Sequence, residues 1–179
     1  MIRFDYFEPT TLKEAASFLA REGEQARILA GGTDLLPLLK KRALSPKYLV
    51  NIKGIHGMDG ISREDGGGLC IGALCTLRDL KASALLDGGW GMVAQAAGML
   101  GSVQVRNIAT LGGNLCHGAP SAETAPALIA LSAQAAIAGT NGTRMVPLEE
   151  FFTGPGTTVL GAGEVLAEVA LPPPYGPGG

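Results

Sequence analysis

Two glycine doublets set the first limit on what this chain can build. Gly31-Gly32 follows the short apolar run Ile28-Leu29-Ala30, and Gly112-Gly113 follows Ala109-Thr110-Leu111. Glycine reaches backbone angles closed to other residues and lets a second backbone or a ligand approach to contact. A doublet between a strand and a helix start therefore spells a tight turn whose amide N–H groups can face an anion. The usage is general: 27 Gly and 11 Pro stand among 179 residues, scattered as turn signals between apolar runs rather than pooled in one low-complexity tract. With 46% hydrophobic residues there is material for a real core, and the length suits one domain or two small lobes packed as a unit.

Charge and composition exclude several functions. Lys and Arg number 14 against 16 Asp and Glu, with no basic cluster to serve as the electrostatic footprint of a nucleic-acid binder. No stretch approaches the run of about 18 apolar residues that a membrane span requires. The opening MIRFDYFEPT has neither a basic n-region nor an apolar h-region, so no membrane span and a cytoplasmic location are expected. Cys70, Cys75 and Cys116 form no Cys-x-x-Cys pair, and His56 and His117 are the only histidines. A disulfide framework, a zinc site or an iron–sulfur cluster held by this chain is not expected; the cysteines read as reduced core thiols.

Periodicity divides the chain in two. Ile2 to Phe7 alternates like a strand, Thr11 caps a helix with apolar positions at Leu12, Ala15, Ala16, Phe18 and Leu19, and Arg27 to Ala30 reads as a short buried strand. Thr33-Asp34 then precedes a helical stretch, Leu35 to Arg42, and Tyr48 to Ile52 is another strand. This gives a small β-α-β-α-β lobe with parallel strands over residues 1–55. A second lobe, 56–171, opens with a hairpin of Met58 to Ser62 and Leu69 to Ala73 and continues with a helix, Leu77 to Ser83, behind a capping box at Thr76 and Asp79. Helices follow over Trp90 to Leu100 and Ser121 to Leu131, then antiparallel strands over Gln134 to Ala138, Arg144 to Leu148 and Val165 to Leu171. The α+β reading ends in a Pro/Gly-rich tail or linker, 172–179.

Either glycine doublet alone is equally a tight turn without a ligand; together they describe two anion cradles that could serve two phosphates. Neither fits the dinucleotide fingerprint Gly-x-Gly-x-x-Gly, and the Walker-like spacing of Gly113 to Gly118 runs into Ala119-Pro120 where Lys and Ser or Thr are required.

The arrangement does resemble a known family. Ala30-Gly31-Gly32-Thr33-Asp34, then Arg106-Asn107-Ile108-Ala109-Thr110-Leu111-Gly112-Gly113-Asn114-Leu115, then Ala119-Pro120-Ser121-Ala122-Glu123-Thr124-Ala125-Pro126-Ala127-Leu128 are similar to the FAD-binding medium subunit of molybdenum hydroxylases, the xanthine dehydrogenase and carbon monoxide dehydrogenase relatives. Leu49 to Ile52, Ile71-Gly72-Ala73 and Phe151 to Leu160 also look like family segments in family order.

The resemblance implies a two-lobed, PCMH-type FAD-binding domain of the vanillyl-alcohol-oxidase-like kind, with an extended FAD between the lobes. Ile28-Leu29-Ala30-Gly31-Gly32-Thr33-Asp34-Leu35 and Thr110-Leu111-Gly112-Gly113-Asn114 would wrap the pyrophosphate, and Glu123 would take the acidic position beside the adenosine ribose. Leu166 and Leu100 would lie near the isoalloxazine. Asp34 is an N-cap or a residue near the flavin, His117 a loop histidine bonded to a carbonyl or a phosphate contact, Cys116 packing rather than redox chemistry, and Arg106 structural or an interface residue. The resemblance further implies an electron-transfer role in a hetero-oligomer with a [2Fe–2S] small subunit and a molybdopterin large subunit. It places no catalytic acid, base, nucleophile or metal in this chain. It implies too that a C-terminal domain absent from this sequence follows in the family. The alternatives are a free-standing nucleotide- or flavin-binding or assembly module without redox turnover, and a self-contained flavin reductase, for which no serine and glutamate pair of proton donors is apparent.

Overall fold

The computed structural model describes residues 3–174, so Ile2 of the first expected strand and Tyr175 to Gly179 of the tail lie outside the described residues. Strand β1 (Asp5–Phe7) leads into helix α1 (Leu12–Glu22). The Thr11 hydroxyl accepts the Glu14 amide at 3.2 Å, and the Glu14 carboxylate accepts the Thr10 amide at 2.9 Å, so two of the otherwise unpaired amides at the helix start are satisfied. Gly23, at φ +53°, ends the helix. After β2 (Ala26–Leu29), α2 (Leu35–Lys40) and β3 (Tyr48–Asn51), the first sheet is complete in the order β1-β3-β2, all parallel.

The second unit is built on a five-stranded antiparallel sheet, β4 (Ile61–Arg63), β5 (Leu69–Gly72), β10 (Val165–Leu171), β6 (Gln134–Gly139) and β7 (Gly142–Pro147), in that spatial order. The chain between β5 and β6 supplies α3 (Leu77–Ala82), α4 (Gly91–Met99), α5 (Val103–Arg106), α6 (Leu111–His117) and α7 (Thr124–Ala130). The chain between β7 and β10 supplies α8 (Leu148–Phe151) and the small hairpin β8 (Phe152–Gly154) and β9 (Thr157–Thr158). The strand expected over Arg144 to Leu148 stops at Pro147, which lacks the N–H to continue a ladder, and Leu148 opens α8.

One continuous core joins the two sheets. Ala15, Leu19 and Val50 of the first unit pack in the same buried cluster as Ile71, Leu128, Ile137 and Val169 of the second. Helix α1 makes the bridge, with its small face against β6 and β10. Gly163, just before β10, sits at φ +82°, and a Cβ there would lie 2.6 Å from the Ala20 Cβ and 3.0 Å from the Ala16 carbonyl oxygen. The start of the tail also belongs to the second unit. Trp90 Nε1 donates to the Pro172 carbonyl at 3.1 Å, and Pro174 lies so close to Gly89 that a Cβ there would be 2.3 Å away.

Gly163→Ala should therefore cost about 1–3 kcal/mol from overpacking, with a further contribution of about 1–2 kcal/mol from the left-handed backbone. Urea unfolding measures it. Ala20→Gly in the same chain should recover part of the loss; strictly additive losses would show that α1 does not press on this turn.

Candidate functional site

A cleft of about 770 Å³ runs between the two sheets. Its size falls within the range of small-molecule and cofactor sites. All of the expected cofactor-binding residues line it except Leu29, whose strand position pairs with Asn51, and Leu111, which is wholly buried in the core.

The first glycine loop enters the cleft with its donors free. Leu36 donates to the Gly32 carbonyl and Leu38 to the Asp34 carbonyl, but the amides of Gly31, Gly32, Thr33, Asp34 and Leu35 find no acceptor among the described residues. Unpaired backbone donors in a concave site are the signature of a place where a ligand or solvent completes the hydrogen bonding. Asp34 does not cap α2: its backbone is helical and its side chain makes no capping bond. The loop is held from two sides. Lys53 Nζ donates to the Ala30 carbonyl at 3.3 Å, and Gly31 presses on the far unit so tightly that a Cβ would lie 2.2 Å from the Ile108 carbonyl oxygen. Gly32 adopts φ +74°, a turn that other residues enter only with strain.

The second doublet departs from the sequence expectation of a matching cradle. Gly112 and Gly113 lie in the first turn of α6, capped by Thr110, and their donors are taken. Leu111 bonds to the Cys75 carbonyl at 2.9 Å, Gly112 to Ala73 at 2.8 Å, Gly113 to the Thr110 hydroxyl at 3.1 Å and Asn114 to the Thr110 carbonyl at 3.0 Å. Gly112 is a packing residue, since a Cβ would meet the Ala73 Cβ at 2.7 Å. Gly113 faces the cleft, where only the Thr110 hydroxyl approaches its missing Cβ. The second segment therefore contributes a surface and the Asn114 side chain rather than a run of bare amides.

The other candidates divide by their partners. Glu123 stands before α7 with no capping bond, on the cleft wall. His117 is the exposed last residue of α6, not part of a loop. Arg106 is structural: one guanidinium nitrogen donates to the Leu100 and Gly101 carbonyls, both at 2.8 Å, and holds the turn from α4 into α5. Burial pushes the Cys116 thiol up to about 12, so it is a neutral thiol near pH 7 rather than a nucleophile. Leu166, at the bulge of β10, and Leu100 add apolar wall. Among the lining residues that sequence reading missed are Leu38, Leu44, Leu74 and Val105; their apolar spacing matched core positions and carried no separate signal.

Two sheets around a cleft with free amides and apolar walls define a domain of the ligand-binding class. The chain belongs to the family described as the FAD binding domain in molybdopterin dehydrogenase, which matches residues 2–174. It is 38% identical over 170 residues to the carbon monoxide dehydrogenase medium chain of Hydrogenophaga pseudoflava, a match covering 95% of this chain and 59% of that protein. It is 34% identical over 168 residues to a xanthine dehydrogenase FAD-binding subunit of Escherichia coli O157:H7, covering 94% and 57%. The chain thus spans about three fifths of the length of these relatives. Among solved structures, a carbon monoxide dehydrogenase from H. pseudoflava superposes with TM-score 0.93 at 37% identity, covering 99% of this chain and 62% of that one. Quinoline 2-oxidoreductase from Pseudomonas putida 86 gives 0.91 at 35% identity, covering 97% and 60%. FAD is the cofactor of the family, and the free amides and the apolar walls fit it.

Gly31→Ala should destabilise the chain by about 1–3 kcal/mol, because the Ile108 peptide is backbone and can move only with α5. Gly113→Ala, opposed by one hydroxyl, should cost less. Thermal or urea unfolding of the two variants tests the ranking, and the reverse order would contradict the assignment of Gly31 to the contact between the two units.

Proposed function

We propose that this chain holds FAD in the cleft and serves as the flavin-bearing part of a molybdenum hydroxylase, an oxidoreductase, with the two-lobed PCMH-type architecture. The observation that carries the reading is the run of unpartnered amides from Gly31 to Leu35, set in a cleft of cofactor size. A diphosphate needs compensation for its charge, and the cleft offers little from side chains. Among the described residues Arg27 is the one Arg or Lys lining it, and its guanidinium donates to the Glu24 and Ala26 carbonyls at 2.8 and 2.9 Å. The amide dipoles of the first loop are what remain to meet the phosphates.

Bound FAD would supply the redox chemistry, taking electrons relayed from a molybdopterin large subunit through [2Fe–2S] clusters of a small subunit and passing them to an acceptor. The chain's own residues position and shield. The Gly31–Leu35 amides hold the diphosphate, the Glu123 carboxylate accepts a ribose hydroxyl, and Leu100 and Leu166 keep water from the ring. None of these steps requires a catalytic acid or base. The hetero-oligomer part of the reading is supported by exposed apolar side chains: Met99, Val103 and Ile108 are 70%, 60% and 55% exposed in the segment that runs from α4 to α6.

Reconstitution with FAD tests the proposal: a folded chain that takes up no flavin overturns it. Glu123→Ala should weaken FAD binding by about 1.5–3 kcal/mol, the range for a hydrogen bond to a charged group, and leave FMN, which has no adenosine half, unaffected. Equal losses for both ligands would assign Glu123 to the start of α7 instead.

A further inference from the structure

We infer that Thr124 is a positioning residue for the cleft: its buried hydroxyl fixes the Asn114 side-chain amide so that Asn114 faces the ligand as a hydrogen-bond donor. This rests on the FAD reading above.

Thr124 is wholly buried at the first position of α7 and does not line the cleft, whereas Asn114, on α6, does. The Thr124 Oγ1 donates to Asn114 Oδ1, a short bond between two side chains ten residues apart. A side-chain amide has one acceptor end and one donor end. With Oδ1 committed to Thr124, the Nδ2 group is the end left to the cleft, and it has no partner among the described residues. Flipping the amide would set Nδ2 against the Thr124 oxygen and leave the buried hydroxyl hydrogen without the acceptor it has among the described residues, so the observed orientation is favoured. The same cleft wall carries no free amides in Leu111 to Asn114, since all four are bonded within the fold. Asn114 Nδ2 is therefore the donor that this side offers opposite the amide run of Gly31 to Leu35, and an oxygen of the ligand's diphosphate is the acceptor it fits.

The test compares FAD dissociation constants of the folded chain and four variants by flavin fluorescence, at low and high salt, with circular dichroism to confirm folding. Thr124→Ser keeps the hydroxyl and should bind like the parent. Thr124→Val keeps the volume and loses the lock; it should bind about 2- to 10-fold more weakly, the range for one neutral hydrogen bond. Asn114→Ala should fall in the same range or below it. Asn114→Asp retains the bond to Thr124 but turns a negative oxygen toward the phosphates, so it should bind more weakly than Asn114→Ala, with a deficit that shrinks as salt rises. An Asn114→Asp chain that bound FAD as well as the parent would overturn the inference, because the cleft-facing end would then be an acceptor. A Thr124→Val chain with unchanged affinity would overturn the positioning role. Failure of the parent chain to bind FAD would instead overturn the FAD reading, and this inference with it.

Discussion

At Gly31 two backbones come into contact without a side chain between them. The chain leaving β2 passes over the Ile108–Ala109 peptide so closely that no other residue fits. That approach fixes where the first loop lies relative to the second unit, and so fixes the shape of the cleft. The loop's carbonyls take part in holding it there, while its amides, in residues that line the cleft, have no acceptor among the described residues. A close backbone approach and unsatisfied hydrogen bonding thus fall on the same residues, an arrangement that, under the proposed reading, would preorganise the loop for an anion.

The two glycine doublets look alike in sequence and do different work. Gly31 brings lobes together and Gly32 supplies a left-handed turn, so the first doublet releases its donors. Gly112 lets α6 sit against Ala73, and the Thr110 cap draws the second doublet into a helical turn, so its donors are consumed. What the second segment gives the cleft is a side chain, Asn114, aimed by a threonine from the next helix. On the proposed reading the site is asymmetric: backbone amides from the first segment, and the Asn114 amide and Glu123 carboxylate from the second unit.

Much of this was legible in the residues. The Thr11 and Thr76 caps, the βαβ alternation of the first unit and the alternating runs of β6, β7 and β10 announced themselves through local chemistry, and family motifs gave the cofactor. What was not legible depended on contacts distant in sequence. Helix α6 contains two glycines with poor helix propensity, and it forms because Ala73, Cys75 and Thr110 accept its amides. Asp34 precedes a helix and has the right chemistry for a cap, yet the loop pinned by Gly31 leaves its backbone helical and its carboxylate unused in that role. At Thr76 the expected capping box closes differently: the Asp79 carboxylate takes the threonine hydroxyl at 2.6 Å rather than a backbone amide.

The central claim is that the free amides of the first loop, and not those of the second, meet the ligand's phosphates. Amide proton chemical shifts of a labelled chain, followed residue by residue as FAD is added, address it directly. The account predicts downfield shifts and slowed solvent exchange concentrated at Gly31, Gly32, Thr33, Asp34 and Leu35, with smaller changes at Leu111 to Asn114, whose amides are already bonded. Saturating FAD that left the five first-loop amides unmoved, or that moved the second group most, would contradict it.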